Sequence, residues 1–182
     1  MTSEIPALLD QLLRAEGPSG YESAPAAAWR RAAEGFAEVT GDVMGSSVAR
    51  VAGRSSGRRL VVMGHIDEIG LIVTHIDDEG FLWFRPVGGW DAQILVGQRV
   101  AIATRNGRVR GVIGRKPIHL LREEDRKRVP ELRELHIDIG AQEGEQARSR
   151  VRVGDVAVID ADPFAPAPGL LVSRALDNRL GD

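Results

Sequence analysis

A histidine and an aspartate two positions apart, His65 and Asp67, stand at the end of the apolar run Leu60-Val61-Val62-Met63-Gly64. In an extended strand alternate side chains project the same way, so this spacing offers an imidazole nitrogen and a carboxylate from one face. A second acidic group, Asp177, follows the apolar run Leu170-Leu171-Val172 in the segment Ser173-Arg174-Ala175-Leu176-Asp177-Asn178-Arg179. Brought together, the two segment ends would make half of a metal site. The bare His-x-Asp spacing alone favours a plainer reading, in which the histidine bonds a backbone carbonyl and the aspartate caps the next element.

Composition narrows the chemistry. The chain of 182 residues has 24 basic and 26 acidic side chains and a net charge of -2, so it lacks the positive excess that collects nucleic acid or anionic lipid. A hydrophobic content of 43% suits one ordinary globular domain or two small ones. Cysteine is absent, so any metal must be held by His, Asp or Glu, and a reducing compartment is expected. The start Met1-Thr2-Ser3-Glu4-Ile5-Pro6 carries neither a signal peptide nor a membrane span, which gives cytoplasmic location and no membrane partner as expectations.

These residues need elements to position them. Ile5, Leu8, Leu9, Leu12 and Leu13 follow helical spacing up to Gly17-Pro18-Ser19-Gly20, and a second, alanine-rich helix is predicted from Ser23 or Ala24 to about Gly35. Strands are predicted at Ala37 to Thr40, Ser47 to Ala52 and Arg59 to His65, with a turn at Gly53-Arg54-Ser55-Ser56-Gly57 between the last two. After Gly70 short strands follow one another, at Gly70 to His75, Phe81 to Pro86, Val100 to Thr104, Arg108 to Ile113, Leu135 to Ile139 and Asp155 to Asp160, with no helix anticipated between them. Asn106-Gly107 is the strongest hairpin signal. The pattern reads as a small all-β barrel over residues 72–164, inserted into an α/β domain made of residues 1–71 and 165–182. Pro163 to Gly169 is the stiff connector out of it. The charge-dense stretch from Leu121 to Glu134 balances both signs and reads as a solvated loop, with an inter-subunit contact as the other reading.

His65-x-Asp67, Asp177, the Pro18-Ser19-Gly20-Tyr21-Glu22 segment and the all-β insertion together resemble metallopeptidase family 42, the tetrahedral aminopeptidases. Members are also labelled glutamyl or deblocking aminopeptidases, or endoglucanases. The resemblance runs through Gly88-Gly89-Trp90-Asp91, Lys116-Pro117-Ile118-His119-Leu120-Leu121 and Ile137-Asp138-Ile139-Gly140-Ala141, and so covers essentially the whole chain. It implies that His65 binds one of two divalent cations, that Asp177 bridges both, and that Asp67 sits behind His65 and orients it. Zinc or cobalt, with manganese also compatible, suits such a ligand set. It further implies a cis peptide at Asp177-Asn178, a peptide substrate, and a homo-oligomer in which dimers build towards a tetrahedral dodecamer in the full-length form. The family's Glu-Glu pair, further aspartate and late histidine are expected beyond Asp182, so the chain as given is expected to be weakly active or inactive.

Other readings remain beside the leading one of a metal-dependent aminopeptidase. The first is a non-catalytic truncated module for assembly or interaction. A glycoside hydrolase would use Asp67-Glu68 or Asp77-Asp78, but adjacent strand residues face opposite ways and do not flank one bond. An amidase or carboxypeptidase with the same metal chemistry is disfavoured by the insertion motifs. His75 and His136 read as satisfied barrel residues and His119 as a loop residue near a neighbouring subunit. Trp83 and Trp90 read as barrel core or oligomer contacts rather than a sugar platform.

Overall fold

The computed structural model describes residues 5–54 and 57–181. Ser55 and Ser56 of the anticipated turn lie outside the described residues. The chain divides into two compact units, one of Met1–Glu68 with Asp162–Asp182, the other of Ile69–Ala161.

In the first unit, α1 (Ala7–Arg14) buries Leu12 and Leu13 on the face that its apolar spacing dictates. Helix α2 (Ser23–Ala33) turns Ala26, Ala28 and Ala33 inward, small side chains that let a neighbouring backbone approach closely. Strands β1 (Glu38–Gly41) and β2 (Ser47–Arg50) form a two-stranded antiparallel ladder, with Val39 opposite Ala49. The predicted third strand, Arg59 to His65, does not form. Leu60, Val61, Val62 and Met63 are 71–89% exposed and belong to no ladder. Apolar β-branched residues become a strand only when another backbone takes up their N–H and C=O groups and another face covers them, and no described segment does either. The predicted strand at Leu170 to Val172 is likewise reduced to a single antiparallel bridge between Phe164 and Val172.

The second unit contains β3 (Gly70–Ile76), β4 (Leu82–Val87), β5 (Arg99–Thr104), β6 (Gly107–Arg115), β7 (Leu135–Asp138) and β8 (Val156–Ile159). They close into a barrel in the order β3-β4-β7-β6-β5-β8, every described pairing being antiparallel. Closure leaves no sheet edge to cover, which is how so short an all-β unit protects its backbone groups. The inward alternation Leu71, Val73, Leu82, Phe84, Ile102 and Ile137 supplies the core. β5 and β6 meet at the predicted Asn106-Gly107 turn, where Gly107 takes φ +110°, a value that excludes most side chains. The first and last strands, β3 and β8, are antiparallel neighbours with Leu71 opposite Ala157, so the unit's chain enters and leaves side by side.

Three short α-helices punctuate the barrel where none was anticipated: α3 (Ala92–Leu95), α4 (Glu123–Arg126) and α5 (Gly144–Arg150). Helix α5 is held by Ala147 and by Val151 just past its end, a pair spaced by four and fully buried. Helix α4 lies in the charge-dense stretch, where Arg128 pairs with Asp125 and Glu134 at the solvated surface. Trp90 donates from its indole nitrogen to Gly70 O at 2.8 Å, and Trp83 donates to Asp77 at 2.8 Å, so both are anchored packing residues. His75 is exposed rather than satisfied within the barrel, because a bulge between Val73 and His75 shifts its register on β3. His136 is half-buried against the rings of Phe81 and Trp83.

Two outcomes are expected. Burial holds the His136 pKa below the ordinary histidine value, against smaller opposing effects of Asp138 and Asp77. The unfolded chain therefore takes up this proton first, and stability is full above about pH 6.5 and falls as the pH drops through that value. Thermal unfolding from pH 7.5 to 5 should show this loss in the native chain and a shallower one in His136→Gln. A Cβ at Gly111 would meet Ile137 Cγ2 at 2.6 Å and the Asp138 carbonyl at 2.9 Å. Gly111→Ala should lower unfolding free energy by about 1–3 kcal/mol in denaturant titration.

Candidate metal centre

His65 and Asp67 lie on an extended segment that ends at Glu68, and Glu68 is pinned beside the loop after α1. Glu68 N donates to Gly17 O at 3.0 Å and Ser19 N donates to Glu68 O at 3.3 Å, forming a parallel bridge between Pro18 and Glu68. Successive side chains then face opposite ways, as extended backbone requires. Asp67 turns outward to Ser19, whose hydroxyl donates to its Oδ2. Glu68 turns inward and is 6% exposed.

Asp177 sits within α6 (Leu176–Arg179), a short turn entered through Ala175 at φ +61°. The Asp177-Asn178 peptide is cis. Although 112 residues separate them in sequence, His65 and Asp177 meet: Nε2 of the imidazole lies 3.0 Å from Asp177 Oδ1. On the other side of the ring Nδ1 lies 2.8 Å from Asp67 Oδ1. One imidazole is thus bracketed by two carboxylates. The hydrogen bond to Asp67 is the larger cause raising the His65 pKa above its ordinary value, with Asp177 adding to it and burial opposing. The Ser19 hydroxyl is the first cause lowering the Asp67 pKa, with His65 adding to it and burial again opposing.

Among the described residues no group of three or more His, Asp or Glu side chains is assembled to hold a metal. Two donors nevertheless converge. Ligand atoms about 2.0–2.1 Å from a tetrahedral ion stand roughly 3.3 Å from one another, close to the observed Nε2–Oδ1 separation, so imidazole and carboxylate fit one corner of such a site. The Asp177 side chain is 95% exposed, and its second oxygen is open to further partners. Asp67 fits the place behind an imidazole ligand, accepting from the ring nitrogen that faces away from the shared corner.

Comparison with known proteins decides the family. A model of M42 glutamyl aminopeptidases matches residues 45–181. The chain belongs to the M42 peptidase family. Its backbone superposes on a TET aminopeptidase from the marine sediment archaeon Thaumarchaeota archaeon SCGC AB-539-E09 with TM-score 0.90 and 40% identity, over 96% of this chain and 50% of that one. The TET1 peptidase of Pyrococcus horikoshii, which can assemble into a tetrahedron or a large octahedral shell, gives TM-score 0.86 and 37% identity, over 96% of this chain and 52% of that one. The lysyl aminopeptidase of Pyrococcus furiosus is 34% identical over 131 residues, 71% of this chain and 36% of the relative. The M42 chain described here therefore spans about half or less of the length of the relatives it matches.

Sequence reasoning placed His65, Asp67 and Asp177 together but did not single out Ser19, Arg174 or Arg179. Glu68 Oε1 accepts from Gly17 N at 3.1 Å, from Arg179 Nη2 at 3.2 Å, and from Arg174 Nη1. The only sequence signal for this cluster was a glutamate beside an aspartate on an extended segment, whose side chain had to point inward. Removing the carboxylate would leave two guanidinium groups without their shared anion, one of them fully buried. Glu68→Ala should cost about 3–5 kcal/mol in urea unfolding, and a cost below about 1 kcal/mol would show the cluster to be energetically idle.

Proposed function

We propose that this M42 chain contributes one terminal ligand and the bridging carboxylate to a two-metal aminopeptidase centre that removes N-terminal residues from short peptides. The observation that carries the reading is the bracketed imidazole: Nε2 and Asp177 Oδ1 share a corner 3.0 Å wide, while Asp67 holds Nδ1 from behind at 2.8 Å. In this proposal His65 and Asp177 hold the cations, zinc or cobalt with manganese also compatible. When bound, the cations supply Lewis acidity towards the scissile carbonyl and a water acidified to hydroxide near neutral pH.

The chain's own residues prepare that chemistry. Asp67 accepts a hydrogen bond from Nδ1–H, which fixes the tautomer in which Nε2 presents its lone pair to the shared corner and makes that nitrogen more basic. Ser19 donates to the other oxygen of Asp67 and keeps the carboxylate ionised and aimed at the ring. We assign the unit of Met1–Glu68 with Asp162–Asp182, close to the anticipated 1–71 and 165–182, to the catalytic part and the barrel to the insertion, which we propose makes contacts between copies in a cytoplasmic homo-oligomer. The assembly described for the Pyrococcus horikoshii peptidase supports that part of the reading.

A second reading, a non-catalytic assembly module, draws on the absence of any group of three ligands among the described residues. Metal counting separates the two. Two donors are fewer than the four a structural zinc takes, so this polypeptide alone should bind cobalt weakly and hydrolyse leucyl or glutamyl anilide slowly. His65→Ala should abolish cobalt binding altogether, and Asp67→Ala should weaken it by roughly 10- to 100-fold, both read by calorimetric titration. Titrations in which the native chain binds no cobalt, or in which His65→Ala binds as the native chain does, would overturn the metal reading. Full peptidase activity from the chain alone would overturn the expectation of slow hydrolysis.

A further inference from the structure

Two residues beyond Asp177 lies the largest fully buried side chain among the described residues, Arg179. A guanidinium placed out of water must have its donors met, and the acceptors that meet them here include four groups from remote parts of the chain. Nε donates to Ile66 O at 2.7 Å, Nη1 to Leu12 O at 2.8 Å and to Ala15 O at 2.6 Å, and Nη2 to Glu68 Oε1 at 3.2 Å. These four acceptors come from two separate stretches of chain, the C-terminal end of α1 and the segment from Ile66 to Glu68. Ile66 lies between His65 and Asp67.

We propose that Arg179 is a positioning residue: its planar fork ties the segment bearing Asp177 to the backbone bearing His65 and so sets the approach of Oδ1 to Nε2. The proposal rests on the reading of His65 and Asp177 as the centre, but its geometry can be tested apart from metal. Helix α6 is only four residues long, too short to hold Asp177 in place by its own backbone bonds. Asp177 is almost wholly exposed, so surrounding packing does not fix it either. The anchor comes from Arg179, one side of whose guanidinium grips the carbonyl next to His65 while the other closes on the end of α1 and on Glu68. Lysine cannot replace it, because an ammonium is a single point of donation where the fork reaches several acceptors held in fixed directions.

Arg174 provides the control. It also bonds Glu68 and donates to Arg14 O at 2.9 Å, but it makes no bond to Ile66. Loss of Arg174 should therefore lower stability while leaving the corner intact. Loss of Arg179 should open the corner even where the fold survives.

The experiment uses the full chain. In the native protein, NMR should show an Arg179 Nε–H protected from exchange, a scalar coupling from Nε to the Ile66 carbonyl carbon, and a nuclear Overhauser contact between the His65 ring and the Asp177 Hβ protons. Arg179→Lys, with circular dichroism unchanged, should lose the ring contact, whereas Arg174→Gln should keep it. Cobalt titration adds a double-mutant cycle: Asp177→Asn should weaken binding about tenfold or more in the native background and by less than about twofold in the Arg179→Lys background. A folded Arg179→Lys chain that keeps the ring contact overturns the proposal, as does an Asp177→Asn penalty of equal size in both backgrounds. If Arg179→Lys does not fold, the native coupling decides, and its absence overturns the proposal. If the native chain binds no cobalt, the metal reading fails, while the ring contact and the coupling still decide the role of Arg179.

Discussion

The carboxylate of Glu68 is held almost wholly out of water, and a charge in that position is tolerable only if cations and amide donors close around it. The loop after α1 offers Gly17 N, and the segment before the chain's end offers two guanidinium groups. Three stretches remote in sequence are thereby drawn to one point. Because neighbouring side chains of extended backbone face opposite ways, an inward Glu68 sends Asp67 outward, and His65 follows Asp67 by the two-residue period. The candidate centre thus depends on a buried ion cluster that takes no part in its chemistry.

The barrel obeys a different constraint. It closes on itself by β3 pairing with β8, and these are also the first and last strands of the unit. An antiparallel pair at the seam places entry and exit next to each other, so a segment of some 90 residues can be carried within another unit without pulling that unit's two chain ends apart. With every sheet edge paired, short helices suffice here: α3 adds Ala92 and Leu95 and α5 adds Ala147 to the barrel's apolar core.

Much of this was legible in the sequence wherever the deciding information was local. Alternation of apolar residues and the Asn106-Gly107 turn marked the barrel strands, and three-and-four spacing marked α1 and α2. The chemistry-bearing residues could be named because His65 and Asp67 share a strand-like spacing, but their meeting with Asp177 came only from resemblance to a family. What escaped detection depended on distant partners or short periods. Helix α5 spans only two turns, with Ala147 and Val151 as its faint apolar signature. Arg174 and Arg179 look like solvated surface charges until a buried glutamate, over a hundred residues earlier, is seen to need them. The run from Leu60 to Met63 had strand composition without a strand, because composition cannot supply the second backbone that makes a ladder.

That uncovered run has a colloidal consequence. Four consecutive exposed apolar residues outside any ladder have the character of segments that pair with an identical run from another molecule in cross-β stacking. Arg58 and Arg59 immediately before it act as gatekeepers, since stacking identical chains in register would pile their positive charges on one another. Salt shortens the reach of that repulsion, so pairing between such runs becomes easier as ionic strength rises.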